Sequence, residues 1–395
     1  MLADVIVASR RARSEIIDSP FATLLLALSI VFVAFLFPKL GSDLVLTDLL
    51  IGATIVASLL HLVRGDWLAR DVARQIQVPV FVIGIGALIG SLYAGVRPWI
   101  IGDLVRDLAI VLVFLAAVDI LRRGGPRAVR FCYVALGICI LFAAVQLASS
   151  GGDELRASGT FPNPNVAANL LAMGLLCWAA APFRVATKFV VGGIAVVGLL
   201  AAASFGSMLQ LGVGFGYLAV THVDQARNLI RGRRMLALVP ILLMLLVGFF
   251  AFTELRGGQD KSGFNQARFD RSGGLRVAVW VEAIGKVPDA PWGVGPGSVR
   301  GLDLNTLETE LHSEPLAFLV ERGVIGFFGL LLMWFAMVRL CPPGTQARAM
   351  VLAYIFGSFF RETSHYRHFW VFLALALVRA EQVRRSNPQP ELVLE

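Results

Sequence analysis

The stretch ELHSEPLAFLVERGVIGFFG, residues 310–329, starts polar and becomes an apolar run that continues to about residue 338. A bilayer-spanning helix needs about 20 predominantly apolar residues, and the run beginning at Glu314 meets that length. It also carries Glu321 and Arg322, and ionisable groups at such depth are expensive unless they are paired or functional. The stretch therefore reads as a membrane helix with polar work near its start. Ser313 is the expected N-cap and Pro315 suits the first turn, which puts His312 beside the positive end of the helix.

Working outward, the chain of 395 residues is 57% hydrophobic and only 16% charged, a balance that excludes an ordinary soluble domain. It predicts an all-α polytopic membrane protein. Apolar runs at about 20–37, 44–63, 76–95, 99–121, 129–149, 166–182, 186–202, 204–222, 235–253, 314–338, 347–360 and 368–380 give about twelve transmembrane helices. The last two are short enough to be tilted, buried or partly re-entrant. The expected organisation is helices 1–9 in residues 1–253, a large outer loop in 254–313 between helices 9 and 10, helices 10–12 in 314–380, and a cytoplasmic tail in 381–395.

A net charge of +8 does not point to nucleic acid, because the arginines are spread over short connections and form no single basic tract. They instead mark orientation. Arg10, Arg11 and Arg13, then Arg64, Arg70 and Arg74, then Arg122, Arg123, Arg127 and Arg130 alternate with poorly basic connections, and the pattern continues to Arg384 and Arg385. Both termini are therefore expected in the cytoplasm of a multi-pass membrane protein, with the first apolar run retained as an anchor. The segment from Glu254 to Ser313 is the exception: it is expected outside, yet contains Arg256, Lys261, Arg268, Arg271, Arg276, Lys286 and Arg300. A loop of that length is usually functional. Within it GLRVAVWVEAIGKV reads as a short helix, and PWGVGPG as a tight turn bringing backbone close to another segment.

Several chemistries lack their residues. There is no P-loop, no GxGxxG after a strand and no HExxH, and Cys132, Cys139, Cys177 and Cys341 show no ligand spacing. No cofactor or metal is expected. Two constellations remain. His312, if neutral, can act as a general base, or can cap a backbone carbonyl. Arg268, Arg271 and Arg276, with Arg106 and Arg322 near the membrane, can grip phosphate oxygens through the guanidinium fork, or can pair with Asp103, Asp107, Glu314 and Glu321. The segment RASGTFPNPNVAANL adds Asn163, whose amide can bond a sugar hydroxyl, and Asn165, the expected N-cap of the next helix.

Together, Arg276-x-x-x-Trp280, Pro291-Trp-Gly293-Val-Gly295-Pro-Gly297, His312-Ser-x-x-Leu316 and Glu321-x-Gly323-x-x-Gly326 resemble the signature of the O-antigen ligase and O-antigen polymerase superfamily of membrane glycosyltransferases. The upstream SGTFPNPN, residues 158–165, fits the same pattern, and the resemblance covers roughly residues 150–335. One departure is Phe205 in ASFG, residues 203–206, where the family often has an arginine after the serine.

The resemblance implies transfer of a glycan from a polyprenyl (undecaprenyl) diphosphate carrier to an acceptor hydroxyl at the outer face of the inner membrane. His312 is then the base and Arg276 the first diphosphate ligand, with Arg271, Arg268 and Arg106 in support and Asn163, Glu314 and Glu321 as further substrate-side residues. The single hydrophilic outer loop and the HS-x-x-L sequence favour an O-antigen ligase acting on lipid A core. A polysaccharide polymerase of the same superfamily and a lipid-linked glycan flippase are the alternatives; the flippase predicts charges at the bilayer midplane rather than at one edge.

Overall fold

The computed structural model describes residues 20–33, 46–95, 98–149, 164–202, 204–222, 277–298, 311–361 and 366–386. Every regular element among these residues is an α-helix apart from a single 3₁₀ position at Ser298. They are α1 (Pro20–Phe32), α2 (Leu46–Val63), α3 (Arg70–Ala94), α4 (Pro98–Ser149), α5 (Pro164–Trp178), α6 (Val185–Ala202), α7 (Phe205–Thr221), a short α8 (277–286), α9 (Glu314–Leu340), α10 (Gln346–Ser358) and α11 (Arg367–Ser386). Four helices, α2, α3, α6 and α9, are long and apolar enough to cross a membrane. The apolar region 186–222 is divided into α6 and α7, as expected, whereas the expected span 235–253 lies outside the described residues.

α4 is a hairpin rather than one rod. Gly125 has φ 63° and ψ −153°, with Pro126 next to it. Phe114 packs against Trp370 with ring centroids 5.9 Å apart, while Ile140 reaches Gly174, which itself faces Phe372. Residues 114 and 140 would be about 39 Å apart on an unbroken helix, so the chain doubles back at Gly125, between the expected spans 99–121 and 129–149.

The turn of α4 is tied down by charge. Asp119 is fully buried and accepts from the Leu68 N–H at 2.8 Å and the Ser58 hydroxyl at 3.2 Å, with His61 Nδ1 2.7 Å away. Arg122 bridges Asp71 and Glu381. Both oxygens of the buried Asp119 carboxylate are thus satisfied, one from α2 and one from the connection between α2 and α3, as burial of a charge requires.

α11 is the central post. Residues from His368 to Val378 are all buried, although α11 is not among the helices apolar and long enough to span by composition. A helix apolar on every side belongs inside a bundle, and α11 packs between α4, α5 and α10.

Candidate active site

α9 is also broken. Gly323 has φ 64° and ψ −170°, close to the conformation that turns the chain at Gly125. This region is essentially reserved for glycine. The helix becomes two limbs, 314–322 and 324–340, which reach α10 and the residue that ends it: the Tyr354 hydroxyl donates to Glu314 Oε1 at 2.5 Å, and the Trp334 ring lies 5.7 Å from that of Phe359. On a straight helix residues 314 and 334 would be about 30 Å apart. The first limb folds back toward the second.

Breaking a helix strands backbone groups, which in an apolar setting must find partners. The PWGVGPG turn supplies them. The Val294 N–H donates to the Val320 carbonyl at 3.0 Å, the Gly295 N–H to the Glu321 carbonyl at 2.8 Å, and the Val324 N–H to the Pro291 carbonyl at 3.1 Å. Such proximity leaves no room for side chains: a methyl group on Gly90 of α3 would lie 2.8 Å from the Glu321 carbonyl oxygen and 3.1 Å from that of Trp292. The glycines of the two sequence motifs are therefore one device, a turn docked on a helix break.

Arg322, 3% exposed, forms an ion pair with Asp107 of α4, and its guanidinium lies 4.2 Å from the centroid of the Phe318 ring. This is the pairing alternative for that arginine. Arg106 is bound to Asp103 one turn away on α4 at 2.7 Å. Glu314, 1% exposed, faces Tyr354. Glu321 contributes its backbone carbonyl to the turn.

α8 covers the first limb. Val279 and Ala283 are buried with Leu311, Leu316, Ala317 and Val320, and the Trp280 indole N–H donates to the Leu311 carbonyl at 2.7 Å. His312 follows at once with φ 49°, the sole non-glycine residue of positive φ among those described. A non-glycine residue held there is strained, and such strain concentrates at functional sites. Its side chain is half-buried.

Two expectations are corrected. Ser313 occupies the N-cap position with extended backbone, but its side chain makes no capping bond. Pro315, second in the helix, has no N–H, which removes one of the two donors a capping oxygen normally takes. Asn165 is not a cap: α5 already begins at Pro164, whose fixed φ suits the first helical position. Its Oδ1 instead accepts from the Ser204 hydroxyl at 3.0 Å, and its carbonyl accepts from Arg361 at 2.8 Å.

Arg276, Arg271, Arg268 and Asn163 lie outside the described residues. The sequence reading missed Tyr354 and a second buried polar group, in which His368 Nε2 lies 2.9 Å from Asn169 Oδ1 and Asn169 Nδ2 donates to Gln210 Oε1 at 2.9 Å. Single polar residues in apolar runs were the available signal, since each needs a partner on another helix.

Four helices long and apolar enough to cross a membrane, with ion-paired and amide side chains buried between helices, define the class as a helical membrane protein. Residues 190–331 match the family model described as O-antigen ligase, so this part of the chain is similar to the O-antigen ligase-like superfamily. The match takes in most of α6, then α7, α8, the PWGVGPG turn and the break in α9. Among curated proteins no match was found.

Proposed function

We propose that the protein is an O-antigen ligase of the inner membrane, moving a glycan from undecaprenyl diphosphate to a hydroxyl of lipid A core. In this reading about twelve helices cross the bilayer, both termini are cytoplasmic, and residues 254–313 form a periplasmic catalytic loop that carries His312 near its end. The observation that carries the proposal is the strained His312 backbone, held on one side by Trp280 through Leu311 and followed by the buried Glu314–Tyr354 bond.

Cleavage of the sugar–diphosphate bond leaves negative charge on the departing diphosphate, and aimed guanidinium groups stabilise it as it develops. Arg276 is assigned this role, with Arg271, Arg268 and Arg106 in support. His312 takes the proton of the acceptor hydroxyl as its oxygen attacks the anomeric carbon. Asn163, Glu314 and Glu321 complete the substrate side of the assignment. Support for Arg276 comes from sequence adjacency: it directly precedes α8, the helix that Trp280 fastens beside His312.

The test is glycan transfer by the purified protein given an undecaprenyl-diphosphate-linked oligosaccharide, with and without lipid A core, beside His312→Ala and Arg276→Ala. Transfer only to lipid A core, lost in both variants at unchanged thermal stability, supports the ligase. Longer carrier-linked chains without lipid A core make the protein a polymerase instead, and full activity of His312→Ala removes the base assignment.

A further inference from the structure

We propose that α8 is an interfacial helix whose outward face lies in the bilayer, so that the segment before α9 rests on lipid instead of standing clear in water. The proposal concerns where this helix sits. It is independent of the glycan-transfer reading.

α8 is apolar on two faces, and among the described residues only one of them is covered. Val279 and Ala283 are fully buried against Leu311 and the first limb of α9. Val277, Val281 and Ile284, spaced as positions i, i+4 and i+7, form a single stripe, and they are 55%, 66% and 55% exposed. Ala278, Gly285 and Pro288 extend the same exposed face. The charged residues of α8, Glu282 and Lys286, stand four apart on one flank between the two apolar faces. A soluble loop helix would turn its polar residues outward, whereas this one turns them sideways and presents valine and isoleucine.

The occupant that fits is lipid, because the stripe lies next to the exposed apolar side of a candidate span. The Tyr93 hydroxyl, at the end of the candidate span α3, donates to the Asp289 carbonyl just after α8 at 3.3 Å. On α3 below it, Leu88 and Leu92 are 56% and 67% exposed, as expected of a helix side that meets acyl chains. Trp292 follows in the turn docked against Gly90 and is itself 49% exposed. Tyrosine and tryptophan at the end of a span, with a lysine on the polar flank of an amphipathic helix, are the residues that settle at a membrane–water boundary.

The experiment uses the full chain in lipid nanodiscs, carrying a single new thiol from Val281→Cys, Ile284→Cys or, as the flank control, Lys286→Cys. Cys132, Cys139, Cys177 and Cys341 are all buried, so a thiol-reactive environment-sensitive dye is directed to the new site. The dye at 281 and at 284 is expected to emit as in an apolar medium, and nitroxide-bearing lipids should quench it several-fold more than the dye at 286. Two outcomes overturn the proposal. Quenching by aqueous iodide equal to that at 286 would put the stripe in water, and protection from both quenchers would mean that protein covers it, another segment of this chain or a second copy. The two stripe positions report independently, so failure of one variant to fold leaves the other to decide.

Discussion

The Tyr354 hydroxyl and Glu314 Oε1, 2.5 Å apart, join α10 to the first limb of α9 two residues after His312. Tyr354 is itself wedged by aromatic rings, stacked on Phe369 at 4.4 Å and edge-on to Trp370 at 6.1 Å. The carboxylate is therefore held by a donor that cannot readily move, and the backbone of His312 inherits that fixity.

Tyr354→Phe removes this donor and leaves Glu314 buried with one bond fewer, which costs about 1–3 kcal/mol. The thermal midpoint in detergent should fall, and activity should fall with it. Glu314→Gln keeps an acceptor for the tyrosine and should be milder. Equal midpoints for Tyr354→Phe and the parent would show that the bond contributes nothing.

Arg322 and Asp107 should respond unequally. Asp107→Ala strands a guanidinium that is 3% exposed, whereas Arg322→Leu leaves a carboxylate that is 23% exposed and can reach solvent. Removing one partner of a buried pair costs about 3–5 kcal/mol, and Asp107→Ala should approach that figure while Arg322→Leu stays below it. The double substitution to leucine should recover part of the loss. Unfolding midpoints of the three variants check the order.

Gly323→Ala should be far worse than Gly125→Ala. Both need positive φ, a strain of about 1–3 kcal/mol for a residue with a side chain. At Gly125 the added methyl meets open space, but at Gly323 it meets the backbone of Pro291 and Trp292, which would have to leave the break. Gly102→Ala, on a helix and facing open space, serves as a neutral control. Yield and thermal midpoint should rank Gly102→Ala, Gly125→Ala and Gly323→Ala in descending order.

Trp280→Phe keeps most of the packing of α8 but loses the bond to the Leu311 carbonyl, worth about 1 kcal/mol. If that bond sets the His312 backbone, kcat for glycan transfer should fall several-fold with little change in KM or thermal midpoint. A parallel loss of stability and activity would mean that Trp280 only packs.

The sequence by itself determined the helical class, because apolar runs of span length leave a backbone no other way to satisfy its groups in lipid. It also determined the special positions. The PWGVGPG turn with its glycines at 293 and 295 and the short helix around Trp280 were legible, because glycine demand and helical period are local properties, whereas the break at Gly323 inside the expected span 314–338 and the strained backbone of His312 were not. The boundary at Pro164, which displaced Asn165 from its expected cap, was a local signal given too little weight. Only the tertiary structure decided which segments meet: that the PWGVGPG turn seats on the break at Gly323, that Arg322 selects Asp107, and that Tyr354 reaches Glu314. Partner choice depends on where helices distant in sequence pack, and α9 doubling back at one glycine changes every such distance without altering the apolar pattern from which the helices are read.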